Sequence, residues 1–175
     1  MKATGVVRRI DDLGRIVIPK ELRRSLHIRD GESLEIFVDN EMIALKKFSS
    51  MDDITELSDN LVNTISQNIS KNIIVTDRDK VISASNNAKD YLKNNISKYI
   101  EENLNSREII TEKNFVEVEL IEDLKEKLSY VISPVIANGD VIGSIIIFSD
   151  SSCITEVDLK LAAITSSFLG KRIEE

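Results

Sequence analysis

The stretch from Val6 to Arg24, VVRRIDDLGRIVIPKELRR, decides how the N-terminal part of this chain folds. It holds five arginines, although the whole chain has a formal net charge of −7. Up to Arg29 there are eight basic residues and three acidic ones, a surplus of five positive charges, so the remainder sums to −12. This asymmetry points to a basic end that faces nucleic acid and a solvated acidic remainder.

The same stretch has the pattern of a β-hairpin followed by a short helix. Residues 4–10 and 15–18 are predicted strands, and residues 11–14, Asp-Asp-Leu-Gly, supply the turn. Pro19 stands at a good first helical position, and residues 20–26 place Leu22 and Leu26 on one side of a helix. A second hairpin is predicted from strands 33–38 and 42–47.

The arginines allow two interpretations. One is a solvated face of salt bridges, but the acidic partners are too few and the arginines come from both strands and the helix. The other is a surface that contacts phosphates and base edges, for which the planar guanidinium fork is suited. We favour the second. Such arginines can read guanine directly, or they can follow groove width and phosphate positions without a strict base code.

The first unit should be marginal as a monomer, because it has few large apolar side chains and neither a disulfide nor a metal site. Dimerisation is the natural remedy. A symmetric dimer presents two copies of the arginine surface and should prefer two-fold related half-sites, hence pseudo-palindromic duplex DNA.

Residues 2–24, KATGVVRRIDDLGRIVIPKELRR, continued by residues 28–38, IRDGESLEIFV, resemble the swapped-hairpin DNA-binding domain of the AbrB family of transition-state regulators. The resemblance implies a dimeric β-barrel of interleaved hairpins and AT-rich targets with a loose consensus. The chain as a whole is most similar to sporulation regulators of spore-forming Firmicutes in which this domain precedes a GAF domain, which implies an activator and/or repressor of sporulation-type genes. The DNA contacts carried over by position are Arg8, Arg9, Arg15, Arg23 and Arg24, with Lys2 and Lys20 as phosphate contacts.

After the first unit, apolar residues at helical spacing predict two amphipathic helices, residues 52–70 and 154–173. Such a stripe is more often the face that a helix turns to its own core. It could also pair these helices across a two-fold axis into a four-helix bundle, which would make the protein a tetramer. The predicted oligomerisation residues are Ile54, Leu57, Leu61, Ile65, Leu161, Ile164 and Phe168.

Between these helices the pattern favours strands at 72–76, 81–84, 115–121, 129–137 and 141–149, with short helices at 90–92 and 96–104. Residues 122–128 are ambiguous. The order of elements resembles the GAF fold, a small-molecule-sensing module, which implies an effector of unknown identity. A pocket between the sheet and the short helices would have polar groups available from Ser83, Ser85, Asn86 and Asn87. The alternative is that these four residues only shape and cap loops.

We therefore predict an α+β protein with a swapped-hairpin β-barrel at 1–48, a linker at 49–53, and a GAF-like antiparallel sheet with flanking helices at 54–175. One cysteine, Cys153, and one histidine, His27, form no pattern for a disulfide, a metal or a nucleophile, so no cofactor and no enzymatic reaction is expected. No apolar run is long enough for a membrane span, which predicts a cytoplasmic protein. The resemblance implies that it is bacterial and associated with the nucleoid. The alternative function is an antitoxin-like module that binds a toxin partner, although a folded acidic domain argues against it.

Overall fold

A computed structural model describes residues 6–49, 51 and 54–174 of the chain, which divides into two compact units, Met1–Phe48 and Ser49–Glu175. In the first unit, helix α1 spans Lys20–Ser25 and follows Pro19 directly. Proline suits the start of a helix, because the first N–H groups have no acceptor within the helix and proline has no N–H. Strands β1, Leu34–Asp39, and β2, Met42–Lys47, form an antiparallel hairpin in which Leu34 lies opposite Lys47. The prediction of this second hairpin is confirmed.

The first predicted hairpin has its turn but not its strands in the single chain. Gly14, at φ +76°, donates its N–H to the carbonyl of Asp11 at 3.0 Å and so closes the turn. Residues 6–10 and 15–18 belong to no strand, which corrects the prediction for the isolated chain. A strand requires a neighbouring strand to satisfy its backbone groups. Interleaved hairpins would draw that neighbour from a second copy of the chain.

The second unit is built on a five-stranded antiparallel sheet in the order β4-β3-β7-β6-β5. Its strands are β3 (Asn72–Thr76), β4 (Val81–Ala84), β5 (Ile110–Ile121), β6 (Leu124–Ala137) and β7 (Asp140–Ser149). Helices α2 (Thr55–Ile69), α3 (Lys98–Ser106) and α4 (Glu156–Glu174), with a 3₁₀ helix at Asn86–Tyr91, complete it. The ambiguous residues 122–128 lie in the β5–β6 hairpin, so both strands are longer than their apolar patterns predict.

The central strand β7 explains why the sheet is covered on both faces. Its run of Ile145, Ile146, Ile147 and Phe148 is fully buried, and successive side chains of a strand point to opposite faces. Ile146 and Phe148 pack with Tyr91, Ile100 and Leu104 under the 3₁₀ helix and α3. Ile145 and Ile147 pack with Val62, Ala162 and Leu169 under α2 and α4, the terminal-helix face of the sheet.

Met51 belongs to this second core although it lies in the stretch predicted as a linker. Its side chain is completely buried in the cluster under α2 and α4. The core thus extends to the N-terminal side of α2, and the chain that joins the two units is correspondingly short.

Helix α4 is fixed to the sheet by one close approach and one buried ion pair. A Cβ added to Gly170 would lie 2.1 Å from the carbonyl oxygen of Ile136, so only glycine fits at this contact. At the other end of the helix, Lys71 Nζ donates to the Asp158 carboxylate at 2.5 Å, and both side chains are buried. These contacts set the depth and the direction of α4.

Candidate nucleic-acid interface

The basic side chains of the first unit are largely presented to solvent. Arg8 and Arg9 precede the turn at 11–14 and are exposed, and Arg15 follows the turn with 70% of its side chain exposed. Lys20 and Arg24 are exposed on α1. Lys2, also predicted as a phosphate contact, lies outside the described residues. The structure therefore brings basic groups from both sides of the turn and from the helix to the surface of one small unit.

Asp11 orders the turn that carries Arg15. Its Oδ1 accepts the N–H of Leu13 at 3.1 Å and that of Arg15 at 2.8 Å, and its Oδ2 accepts the Arg15 Nε–H at 2.7 Å. The backbone hydrogen bond from Arg15, followed by its side-chain bond, lowers the pKa of Asp11 below 3.8. The turn thus keeps one negative charge beside Arg15 at neutral pH and holds the guanidinium in one direction.

Arg23 differs from the other arginines because it is half-buried. Its guanidinium donates to the Asp30 carboxylate, which ties α1 to the loop before β1. The buried Nε of Arg23 has no hydrogen-bond partner among the described residues. An arginine held in this way positions the helix more than it presents a free fork to a ligand.

The first unit also leaves an unusual amount of apolar surface exposed. Val7 is 87% exposed, Val17 74% and Val38 74%, and seven further large apolar side chains are at least half exposed. Large apolar side chains exposed in this number point to a surface that takes part in binding.

The predicted oligomerisation residues of the second unit divide into two groups. Ile54 is a core residue with 7% exposure, which corrects its prediction, and Leu57, Leu61, Ile65 and Leu161 pack half-buried against the same core. Ile164 is 66% exposed and Phe168 46%, four residues apart on α4. The stripe of α2 therefore serves mainly its own sheet, and the apolar surface open to a partner is on α4.

The predicted pocket residues Ser83 and Ser85 are fully buried and hydrogen-bonded within the fold, and their role as pocket groups stays a prediction. The Ser83 hydroxyl donates to the Asp59 carboxylate, and Ser85 Oγ accepts the N–H of Ile73 at 3.0 Å. Asn86 and Asn87 are exposed at the start of the 3₁₀ helix. Ser83 thus joins β4 to α2, and Ser85 joins the residue after β4 to β3.

Similarity to known proteins over the whole chain shows which family this protein belongs to. The model of the family described as stage V sporulation protein T C-terminal, transcription factor, matches residues 53–174. Stage V sporulation protein T of Bacillus subtilis is 39% identical over the full length of both chains. The chain belongs to the stage V sporulation protein T family. The prediction from the sequence that it most resembles a sporulation regulator with an AbrB-like N-terminal domain is confirmed.

The N-terminal unit has matches of its own. The transition state regulatory protein AbrB of Bacillus subtilis is 60% identical over 48 residues, which are 27% of this chain and 50% of AbrB. The family model described as antidote-toxin recognition MazE, bacterial antitoxin, matches residues 7–50. As a member of the stage V sporulation protein T family with an AbrB-like N-terminal domain, the chain is a DNA-binding transcription regulator.

Solved structures show the fold of the second unit. The GAF domain of an Acinetobacter phosphoenolpyruvate-protein phosphotransferase is 12% identical with a TM-score of 0.57, covering 73% of this chain and 84% of that one. The PixJ GAF domain of Thermosynechococcus elongatus is 16% identical with a TM-score of 0.52, covering 72% of this chain and 90% of that one. The predicted GAF-like fold is confirmed.

One feature of the second unit escapes sequence reasoning. A cleft of about 390 Å³ lies beside α4 and is lined by residues from the segment before β5, from β6 and from α4, among them Arg107, Ser133, Ser166 and Lys171. The lining residues are scattered between Arg107 and Glu174 with no common motif, so no local pattern could have found them. Among the described residues, no His, Cys, Asp and Glu side chains gather into a group that could hold a metal ion, and no helix is long and apolar enough to cross a membrane.

Proposed function

We propose that this regulator binds duplex DNA through the exposed basic residues of its first unit, with Arg8, Arg9, Arg15 and Arg24 as groove and phosphate contacts and Lys2 and Lys20 as phosphate contacts. The observation that carries the proposal is the exposure of these arginines in a unit with a positive surplus, on a chain whose net charge is −7. Arg23 acts differently. Its bond to Asp30 makes it a positioning residue for α1.

The DNA-binding form is a dimer in our proposal. The first unit exposes several valines, and its residues 6–10 and 15–18 belong to no strand of the described chain. A second copy of the same chain would cover the valines and supply the neighbouring strands. The two-fold axis then places two arginine surfaces on related half-sites. The targets are AT-rich and pseudo-palindromic, because arginines follow the narrow minor groove of such DNA without a strict base code.

A second contact between copies is proposed at α4. Ile164 and Phe168 are exposed on a helix whose opposite side is buried in its own core, and they would pack against the same helix of another copy. Two separate self-contacts on one chain produce a tetramer. We propose that an effector of the GAF-like unit changes this packing, and with it the occupancy of sporulation-type promoters, as activator or repressor.

Equilibrium binding of the full chain to an AT-rich duplex tests the contact residues. Arg9→Ala and Arg24→Ala should each weaken binding, since each removes an exposed guanidinium and leaves the fold intact. The matched control is Arg172→Ala, an exposed arginine on α4 in the second unit, which should leave affinity unchanged. Arginine variants of the first unit that bind as tightly as the wild type would contradict the proposal.

The match of residues 7–50 to an antitoxin family favours a second candidate function, a module that neutralises a toxin partner. The structure weakens it, because the acidic part of the chain is a folded sheet domain rather than a tail that becomes ordered on binding. Tight binding of DNA by the purified chain alone, lost in the arginine variants, would leave this candidate unsupported.

A further inference from the structure

The cleft beside α4 lies on the terminal-helix face of the sheet. Ser133 lies on β6 between Val131 and Val135, which belong to the core under α2 and α4. Residues two apart on a strand point to the same face, so Ser133 faces α4 as well. Its hydroxyl meets that of Ser166 on α4 at 2.8 Å, and both serines are buried. The cleft is therefore separate from the region between the sheet and α3, which is filled by Tyr91, Ile100 and Leu104.

The walls of the cleft combine apolar surface with two positive charges. Its apolar lining comes from Ile109, Pro134, Ile136 and Ala163. Arg107 and Lys171 contribute cations from two different elements, the end of α3 and the last turns of α4. Such a combination of an apolar body and a few polar groups is typical of small-molecule sites.

Local contacts fix the position of the charged groups. Arg107 ends α3 in a left-handed conformation, at φ 60°, and its guanidinium lies 3.9 Å from the Asp140 carboxylate at the surface. Glu174, which also lines the cleft, accepts the backbone N–H of Asn138 at 2.6 Å. The lining thus holds two cations and one carboxylate, that of Glu174, which a backbone donor engages, while Asp140 lies outside the lining beside Arg107.

We propose that this cleft binds a small organic carboxylate, with Arg107 and Lys171 on the carboxylate and the apolar wall on its hydrocarbon body. The volume of about 390 Å³ is near the lower end of ligand sites, which fits a metabolite and not a nucleotide cofactor. Ser167, which lines the cleft, precedes Phe168 of the exposed apolar surface of α4. A bound carboxylate would therefore act next to the contact by which copies are proposed to associate.

The effector role of this ligand rests on the function proposed above, whereas its binding does not. Saturation-transfer difference NMR on the full chain without DNA measures the binding alone. The probes are hexanoate and two neutral molecules of the same length, hexanamide and 1-hexanol, each at millimolar concentration. Hexanoate should receive saturation, and the neutral probes should receive much less, because only the carboxylate pairs with the two cations.

Matched variants place the site. Arg107→Gln and Lys171→Gln should each weaken hexanoate binding by about fivefold, the upper range for an exposed ion pair. Lys160→Gln, on the same helix but outside the cleft, should bind like the wild type. Glu174→Gln keeps an oxygen for the Asn138 N–H while removing a negative charge, so its affinity should rise.

Three results would overturn the proposal: no saturation of hexanoate, equal saturation of 1-hexanol, or undiminished binding in both cation variants. None of them would bear on DNA binding, which is measured separately. If hexanoate binds at this cleft but leaves DNA affinity unchanged, the carboxylate site stands and the effector role fails.

Discussion

Breaking the buried pair between Lys71 and Asp158 should destabilise the second unit severely. Lys71 follows α2 and Asp158 lies in the first turn of α4, so the pair joins the two terminal helices beside the start of β3. The Asp158 carboxylate also accepts the backbone N–H and the hydroxyl of Thr155, both at 2.7 Å. In Asp158→Asn the Lys71 ammonium stays buried without its counter-charge.

The expected loss is about 3–5 kcal/mol, the range for removing one partner of a buried ion pair. With a slope of roughly 2 kcal/mol per molar urea, this corresponds to a fall of about 2 M in the unfolding midpoint. Lys71→Met/Asp158→Asn should recover much of the loss, because the double variant no longer buries an unpaired charge. That recovery distinguishes charge burial from general disruption of α4.

The pH dependence of unfolding gives an independent check. Burial, the largest influence, raises the pKa of Asp158, but the hydrogen bonds from Lys71 and Thr155 together outweigh it and lower the pKa below 3.8. A carboxyl whose pKa is lowered on folding stabilises the protein fully above its ordinary pKa and loses this effect as the pH falls. The contribution should be constant at neutral pH, begin to fall near the ordinary aspartate pKa of about 4, and be lost as the pH falls through the lowered pKa.

The exposed pair between Lys113 and Glu156, with a bond of 2.6 Å, is the matched control. Glu156→Gln should leave the urea midpoint unchanged within error, because solvent screens an exposed pair. The reasoning would be refuted if Asp158→Asn changed the urea midpoint as little as Glu156→Gln does. It would also be refuted if the double variant lost as much stability as Asp158→Asn and Lys71→Met, measured singly, lose together.

Two further predictions concern α4. Gly170→Ala should lower the free energy of unfolding, measured in urea, by about 1–3 kcal/mol. The new methyl group would lie 2.1 Å from the backbone oxygen of Ile136, so the helix must shift. A variant as stable as the wild type would show that the helix lies further from the sheet. Phe168→Asp should lower the mass of the assembly in light scattering without changing the circular dichroism, while Lys160→Asp should not; an unchanged mass would exclude Phe168 from the contact between copies.

The sequence predicts most of the fold because its patterns are local. Alternating β-formers around a turn define the β1–β2 hairpin, and the run Ile145 to Phe148 defines a strand buried on both faces. The basic residues of the first unit were identified from charge alone, and the structure places Arg8, Arg9 and Arg24 at the surface. Local patterns were sufficient for these features because neighbouring residues in the chain form them.

Features that depend on contacts between distant segments were not predictable. The apolar stripe of α2 has the same spacing whether it faces its own core or a partner, and only the sheet beneath it shows that Leu61 is packed internally. The ion pair of Arg23 is with Asp30, seven positions away, and the Lys71–Asp158 pair joins residues 87 positions apart. The cleft beside α4 likewise exists only after the sheet and helix have packed together.

The salt dependence of DNA binding tests the central claim most directly. Affinity of the full chain for an AT-rich duplex should fall steeply with salt concentration, because each phosphate contact releases about one counterion. Arg15→Ala and Arg24→Ala should each reduce the slope of log K against log salt by about one, while Arg78→Ala in the second unit should leave it unchanged. A shallow slope in the wild type, or equal slopes in all four proteins, would contradict binding of DNA by the basic N-terminal unit.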